Sequence, residues 1–437
     1  VSTTDLVALV CCDLGAIVRG RSVPAAQLDE RLGAGVGWVP ANHALTPLGP
    51  VAEPNPFGAT GDLRLLPDAG TRVTVSAADG VPALELILCD IVETDGQPWE
   101  CCPRDFLRGT LQELEAALDI RAVASFEQEF QLVLDSAPAL PFSLEAQRRA
   151  EPFASAVMTA LVEAGTQPER FFAEYAPHQF EIPVEVADGL ASADRSVVVR
   201  EVVREIARRE GMRASFAPLL DPAQAGNGVH IHLNLLDAAG RSMLYDGGRP
   251  ACLSEFGGRF AAGILKHARA LSALTAPSPT SAARLQPHRW SAGAVCLAER
   301  NREALLRIPP MVSLDGGDPA RQLHLEYRGA DAAANPYLAL AAIIRAGLDG
   351  VRSELPTPPI LDRDPAQLDD IEAERYGVAA LPASLGDALQ ALAEDEVARG
   401  WMSPLLYDAY LSVKQAELAG TAHLDLSQLC TRYAAIY

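Results

Sequence analysis

The feature that most constrains this chain is a set of short segments in which metal-seeking or charged side chains alternate with apolar ones. The clearest is Gly228-Val229-His230-Ile231-His232-Leu233-Asn234-Leu235. In an extended strand, residues i and i+2 point the same way. His230, His232 and Asn234 therefore share one face, and Ile231, Leu233 and Leu235 the other. From Ser125 to Gln131, Glu127 and Glu129 fall opposite Phe126, Gln128 and Phe130 in the same manner. His324-Leu325-Glu326-Tyr327-Arg328 repeats the alternation, and Glu174 and Glu181 bracket a turn at Pro177. Neighbouring carboxylates repel each other unless a cation lies between them. Strands of this kind predict a curved sheet whose inward polar face lines a cavity.

The same chain concentrates guanidinium groups. Glu299-Arg300-Asn301-Arg302 runs on to Arg307, with Arg284 and Arg328 nearby in sequence. The chain is acidic overall, with 36 Lys and Arg against 57 Asp and Glu and a net charge of -21. An arginine cluster inside such a chain implies an internal anion, either phosphate or carboxylate. Oxygen-rich ligands with an imidazole suit Mg²⁺ or Mn²⁺ better than zinc. Paired divalent ions with arginines are the working parts of phosphoryl transfer. Neither a GxxxxGK[ST] loop nor a GxGxxG turn after a strand is present. The net charge argues against nucleic-acid or anionic-membrane partners. No apolar run of about 18 residues predicts a membrane span. The apolar start, Val1 to Val10, lacks the basic flank of a signal peptide. The eight cysteines form no CxxC pair and read as reduced thiols of a cytoplasmic protein.

Two regions are expected. Residues 1–102 read as a small β-rich domain, with strands near 6–10, 16–20, 72–76 and 83–90 around a long Pro- and Gly-rich loop over 33–68. Residues 103–437 read as a larger α+β domain. Helical periodicity covers 104–118, 143–164, 190–211, 254–275, 335–352 and 384–419. Strand-like segments alternate with these helices at 123–134, 173–186, 213–219, 228–236, 297–308 and 323–328.

Taken in order, these motifs resemble the glutamine synthetase superfamily. The matching runs are Glu127-Gln128-Glu129-Phe130, Glu174 to Glu181, Gly228-Val229-His230-Ile231-His232, Arg284-Leu285-Gln286-Pro287, Arg300-Asn301-Arg302 with Arg307-Ile308-Pro309, and Glu326-Tyr327-Arg328 followed by Ala333-Ala334-Asn335-Pro336-Tyr337. The resemblance implies an N-terminal β-grasp domain and a catalytic domain with a curved antiparallel sheet flanked by helices. It implies that ATP phosphorylates the side-chain carboxylate of glutamate and that an amine attacks the γ-glutamyl phosphate to give an amide. By position, Glu129, Glu174 and Glu181 match the ligands of one Mg²⁺ or Mn²⁺ ion, and Glu127, His230 and Glu326 those of a second. His232 and Asn234 match the nucleotide site, and Arg302 and Arg307 hold the transferred phosphoryl group. Arg284 and Arg328 match the glutamate carboxylate contacts, beside Gly228 and His230. The family commonly forms homo-oligomeric dodecamers of two hexameric rings, with active sites between subunits.

Departures from the family carry further information. Ammonia-using members have an Asp-Gly-Ser-Ser-type loop in the N-terminal domain, and none is found between residues 33 and 70. They also have a flap glutamate six residues after the arginine matching Arg284, where this chain has Trp290. An ammonium site needs compact negative charge, whereas an indole offers flat apolar surface and a cation–π face. Trp290 is therefore expected to line the pocket of an organic amine. The reading is of a γ-glutamyl–amine ligase of amine breakdown or detoxification. Trp290 favours a monoamine or an aromatic amine over a polyamine. The alternatives are an ammonia-assimilating glutamine synthetase and, in another class, a non-catalytic structural or regulatory descendant. His324 replaces an arginine near the nucleotide. The stretch around 360–370 lacks the tyrosine setting used for adenylylation.

Overall fold

The computed structural model describes residues 5–437 apart from Asp79 and Trp290, and apart from the side chain of Asp315. Six strands form the first sheet: β1 (Leu6–Cys12), β2 (Val18–Pro24), β3 (Val36–Trp38), β4 (Leu63–Pro67), β5 (Val73–Val75) and β6 (Leu84–Glu93). The order is β2-β1-β6-β4-β3, with β5 also on β6. The β1–β6 pairing is parallel and the others are antiparallel. This sheet corrects the long loop expected over 33–68, because β3 and β4 both fall inside it. Their short lengths and Pro/Gly-rich flanks hide a period-2 signal, and β4 gains its partner from β6, distant in sequence.

The second sheet has ten strands: β7 (Ile120–Leu132), β8 (Phe172–Ala173), β9 (Gln179–Ile182), β10 (Ala187–Asp188), β11 (Ala214–Ser215), β12 (Val229–Asp237), β13 (Ala294–Glu299), β14 (Ala304–Ile308), β15 (Leu325–Ala330) and β16 (Ile360–Leu361). Its path runs β16-β13-β14-β15-β12-β7-β9-β8. It is antiparallel from β14 to β8 and parallel where β13 meets β14 and β16. The architecture is α+β, as expected. Helices Pro103–Leu118 and Gly189–Arg209 pack on β7. There Phe126, Phe130 and Leu132 are buried, and Gln128 donates to Ser196 Oγ at 2.6 Å.

Four expected elements divide, the first being the segment over 173–186, which is β8 and β9 on either side of the turn at Pro177. The strand expected over 297–308 breaks at Arg300, whose φ of 58° turns the chain back into β14. The helix expected over 254–275 is two, Glu255–Lys266 and Ala268–Thr275, parted at buried His267. Residues 384–419 form Leu385–Glu394, Glu396–Arg399 and Pro404–Thr421. The two breaks meet, because His267 Nδ1 lies 2.5 Å from Asp395 Oδ2 and its Nε2 lies 2.9 Å from Asp349. The ring is thereby tied to two other segments, a contact between distant parts of the chain that helical periodicity does not register. The Asn335-Pro336 run opens helix Pro336–Arg352. Asn335 Oδ1 accepts from the Tyr337 and Leu338 amides, while its Nδ2 donates to the carbonyls of Cys12 and Asp13 in the first sheet. One residue thus caps a helix and holds the N-terminal region against it.

Candidate active site

The register of the second sheet assembles the site. His230 of β12 lies opposite Glu127 of β7, Glu129 of β7 opposite Glu181 of β9, His232 opposite Glu326 of β15, and Glu326 opposite Arg307 of β14. Facing residues on an antiparallel pair stand about 5 Å apart at Cβ. Each step across the sheet therefore adds a functional group to one diagonal band. The apolar partners follow the same register on the other face, with Ile231 opposite Phe126 and Phe130 opposite Phe180.

His230 Nδ1 lies 3.2 Å from Glu127 and 3.9 Å from Glu326, and its Nε2 lies 3.9 Å from Glu129. His232 Nε2 lies 3.2 Å from Glu127. Two compact ligand groups result, Glu127–Glu181–His230 and Glu127–His232–Glu326. Burial would raise the Glu127 carboxyl, but His230 and His232 hold it well below its ordinary value. Glu326 is buried too, yet the charges of Arg328, His230, His232 and Arg307 hold it at about 2. Arg307 donates to it at 2.7 Å, and Arg328 pairs with its other oxygen.

The opposite end of the band lacks such compensation. Burial and the charges of Glu127, Glu129 and Glu174 push Glu181 well above its ordinary value. Glu174 rises to about 7 through burial and then Glu129. Converging carboxylates in this state call for a cation. Hard oxygens with imidazole nitrogens fit a divalent ion of the Mg²⁺ or Mn²⁺ kind.

The remaining expected residues divide between scaffold and cavity. Gly228 donates its amide to Glu129 Oε2 at 2.7 Å. A Cβ there would stand 3.1 Å from both Arg284 Nη1 and His230 Nε2, so a side chain would crowd the site. Arg284 is buried, donates to the Ala330 carbonyl at 2.8 Å, and leaves its Nε unpaired. Arg328 Nε donates to the carbonyl of Arg302 at 2.9 Å. Arg302 itself is exposed and lines an open cavity of about 990 Å³ with Arg300, His288 and Glu303. A second cavity, of about 1170 Å³, opens beside Glu127 and His232 and is also lined by Asn234, Tyr245, Arg321 and His324. Asn234 is held by the protein itself, donating to the Leu323 carbonyl at 3.0 Å and accepting from Ser242 at 2.8 Å. Trp290 lies outside the described residues.

Two site residues escaped the sequence reading. Gln179 Nε2 lies 3.2 Å from Glu129, 2.9 Å from the Gly226 carbonyl and 3.0 Å from Asn227 Oδ1, tying β9 to the glycine turn. Its place two residues before Glu181 on the same strand face was the available signal. Asp331 lies beneath Arg284, its unpaired Oδ2 4.0 Å from the arginine Nε. Nothing in the alternation pattern pointed to Asp331.

A sheet face of this kind equips an enzyme to handle phosphate and carboxylate groups with the help of metal ions. Two family models match the chain in tandem: the glutamine synthetase N-terminal domain over residues 1–99 and the glutamine synthetase catalytic domain over 100–426. The chain belongs to the glutamine synthetase family, ATP-dependent ligases that form carbon–nitrogen bonds and use divalent metal ions. The gamma-glutamylpolyamine synthetase GlnA3 of Streptomyces coelicolor is 35% identical, over 98% of this chain and 92% of that protein. The glutamine synthetase of Methanocaldococcus jannaschii is 29% identical, over 82% and 79%. The crystal structure of a novel glutamine synthase homolog matches at 46% identity with a TM-score of 0.92, covering 100% of this chain and 99% of that one. No described helix is long and apolar enough to cross a membrane, and all eight cysteines are free.

Proposed function

We propose that this ligase joins glutamate to an organic amine, forming a γ-glutamyl amide through γ-glutamyl phosphate. The observation that carries the proposal is Trp290, which stands where an ammonia-using relative needs a flap carboxylate. The similarity to a protein named as a gamma-glutamylpolyamine synthetase supports it. The indole of Trp290 favours a monoamine or aromatic amine, so the class of amine is what the test must decide.

Glu129, Glu174 and Glu181 would hold one divalent ion, and Glu127, His230 and Glu326 a second. Bound there, the ions would neutralise phosphate oxygens of ATP. His232 and the cavity lined by Asn234 receive the nucleotide. Arg284 and Arg328 orient glutamate, with Gly228 leaving room beside His230. Arg302 and Arg307 hold the transferred phosphoryl group, which passes from ATP to the side-chain oxygen of glutamate as ADP departs. The amine nitrogen then attacks the acyl carbon, phosphate leaves, and the nitrogen loses a proton. We place the domain boundary at 102/103 and read the enzyme as a cytoplasmic dodecamer with sites between subunits.

The test is phosphate release with Mg²⁺, ATP and glutamate against ammonium, alkyl monoamines, aniline-type amines, ethanolamine, putrescine and spermidine. Turnover with an organic amine and little with ammonium is the expected outcome. Saturable turnover with ammonium at low concentration would return the chain to the ammonia-assimilating enzymes, in line with its glutamine synthetase relatives. Trp290→Glu is expected to raise the preference for ammonium over the best organic amine by about tenfold or more.

A further inference from the structure

The segment after Arg284 is fastened at points that the metal, nucleotide and glutamate contacts do not explain. Arg289 Nη1 donates to the carbonyls of Pro222 at 2.7 Å and Gln224 at 2.9 Å. Those carbonyls belong to the loop leading into Gly226-Asn227-Gly228, whose last amide is bonded to Glu129. On the other side, the His288 amide donates to Glu303 Oε2 at 3.1 Å. Ser291 Oγ closes the base by donating to the Arg284 carbonyl at 2.7 Å. His288 sits at a φ of 60°, a left-handed conformation that a non-glycine residue holds only when its surroundings impose it. His288, Arg302 and Glu303 line the same open cavity, so the fastened segment shares a wall with Arg302, the arginine read above as holding the transferred phosphoryl group.

We propose that Arg289 is a positioning residue that straps this segment to the loop at 222–224, keeping water from the acyl phosphate until the amine arrives. The inference rests on the ligase reading above. Charged-donor hydrogen bonds to carbonyls are among the stronger contacts available to a partly exposed loop. One guanidinium nitrogen reaching two carbonyls holds the segment against a single backbone stretch. Without the strap, water attacks the acyl carbon, the bond to the phosphate oxygen breaks, and glutamate and phosphate leave with no amide made.

Phosphate and amide are measured together, with and without an amine that the wild type accepts. Arg289→Met keeps the length of the side chain and removes its donors. It is expected to raise amine-free phosphate release and the phosphate-to-amide ratio about tenfold, with KM for ATP nearly unchanged. Arg289→Lys, which keeps a donor, is expected to restore most of the coupling. An unchanged ratio in Arg289→Met, or a lysine variant as leaky as the methionine one, overturns the proposal. If Arg289→Met does not fold, Arg289→Leu, which also removes the donors, takes its place, and an unchanged ratio there is equally decisive. Amide hydrogen exchange at His288 and Arg289 reads the strap without turnover, and Arg289→Met must accelerate it. A wild type that makes no amide with any amine sinks the ligase reading instead, and the exchange result then decides the strap alone.

Discussion

Glu181 shows how one residue's environment depends on its neighbours. Burial and four surrounding carboxylates favour its neutral form, so the charge needed for metal binding is costly until a cation arrives. Glu181→Gln resembles that neutral form in shape and charge. It is expected to leave the metal-free melting temperature unchanged or higher, and to abolish the rise that Mg²⁺ gives the wild type. Amide formation should fall by at least ~100-fold. Calorimetric scans with and without Mg²⁺, beside the coupled assay, check both halves. Glu326 is the counterexample on the same face, since Arg307 and Arg328 already neutralise it.

At the scale of elements, the glycine turn before β12 controls the approach of three structures. A Cβ on Gly226 would stand 2.0 Å from the Pro218 carbonyl oxygen and 2.9 Å from Arg284 Cγ. The turn cannot widen without moving Asn227, which donates to the carbonyls of Ser215 and Ala217, or Arg284 itself. Gly226→Ala is expected to lower stability by about 2 kcal/mol or more and to raise KM for glutamate. Gly33 is the control. It lies exposed in helix Leu28–Ala34, and a methyl group added there would meet nothing within 4 Å. Gly33→Ala should stabilise by about 0.5–1 kcal/mol with activity intact. Urea titrations and steady-state kinetics on both variants separate a general glycine effect from a site effect.

Across the whole molecule, buried Arg104 joins the two sheets' surroundings. It bonds Asp194 of helix Gly189–Arg209 at 2.9 Å through two nitrogens, Asp90 of β6 at 3.0 Å and Asp68 beside β4 at 2.8 Å. Tyr337 donates to the same Asp194 at 2.7 Å. Burial alone would raise the Asp68 carboxyl, but the hydrogen bond and charge of Arg104 hold it below its ordinary 3.8. A carboxyl depressed in the folded state contributes fully above the unfolded value and loses that contribution as pH falls through the folded one. Asp68→Asn is therefore expected to flatten the loss of stability on acidification below about pH 4. The effect should be under about 1 kcal/mol, because Asp68 is partly exposed. Stability measured against pH for both proteins tests this.

The chemistry of the site was legible in the sequence because its signal is local. Period-2 alternation puts Glu127 with Glu129 and His230 with His232 on one face whatever surrounds them. The helix after Asn335-Pro336 was equally readable, since its periodicity is local and the Asn335 cap bonds reach only residues two and three further on. What only the tertiary structure decided was pairing between distant segments. Nothing local says that His230 faces Glu127, that Arg307 of β14 reaches Glu326, or that β13 and β14 run parallel across the bend at Arg300. The same holds for β4, which finds its partner in β6, for β3, which pairs in turn with β4, and for helices cut where His267 meets Asp395. Alternation and caps depend on a few adjacent residues. Register, charge compensation and helix breaks depend on partners tens or hundreds of residues away, which meet only when the chain has folded.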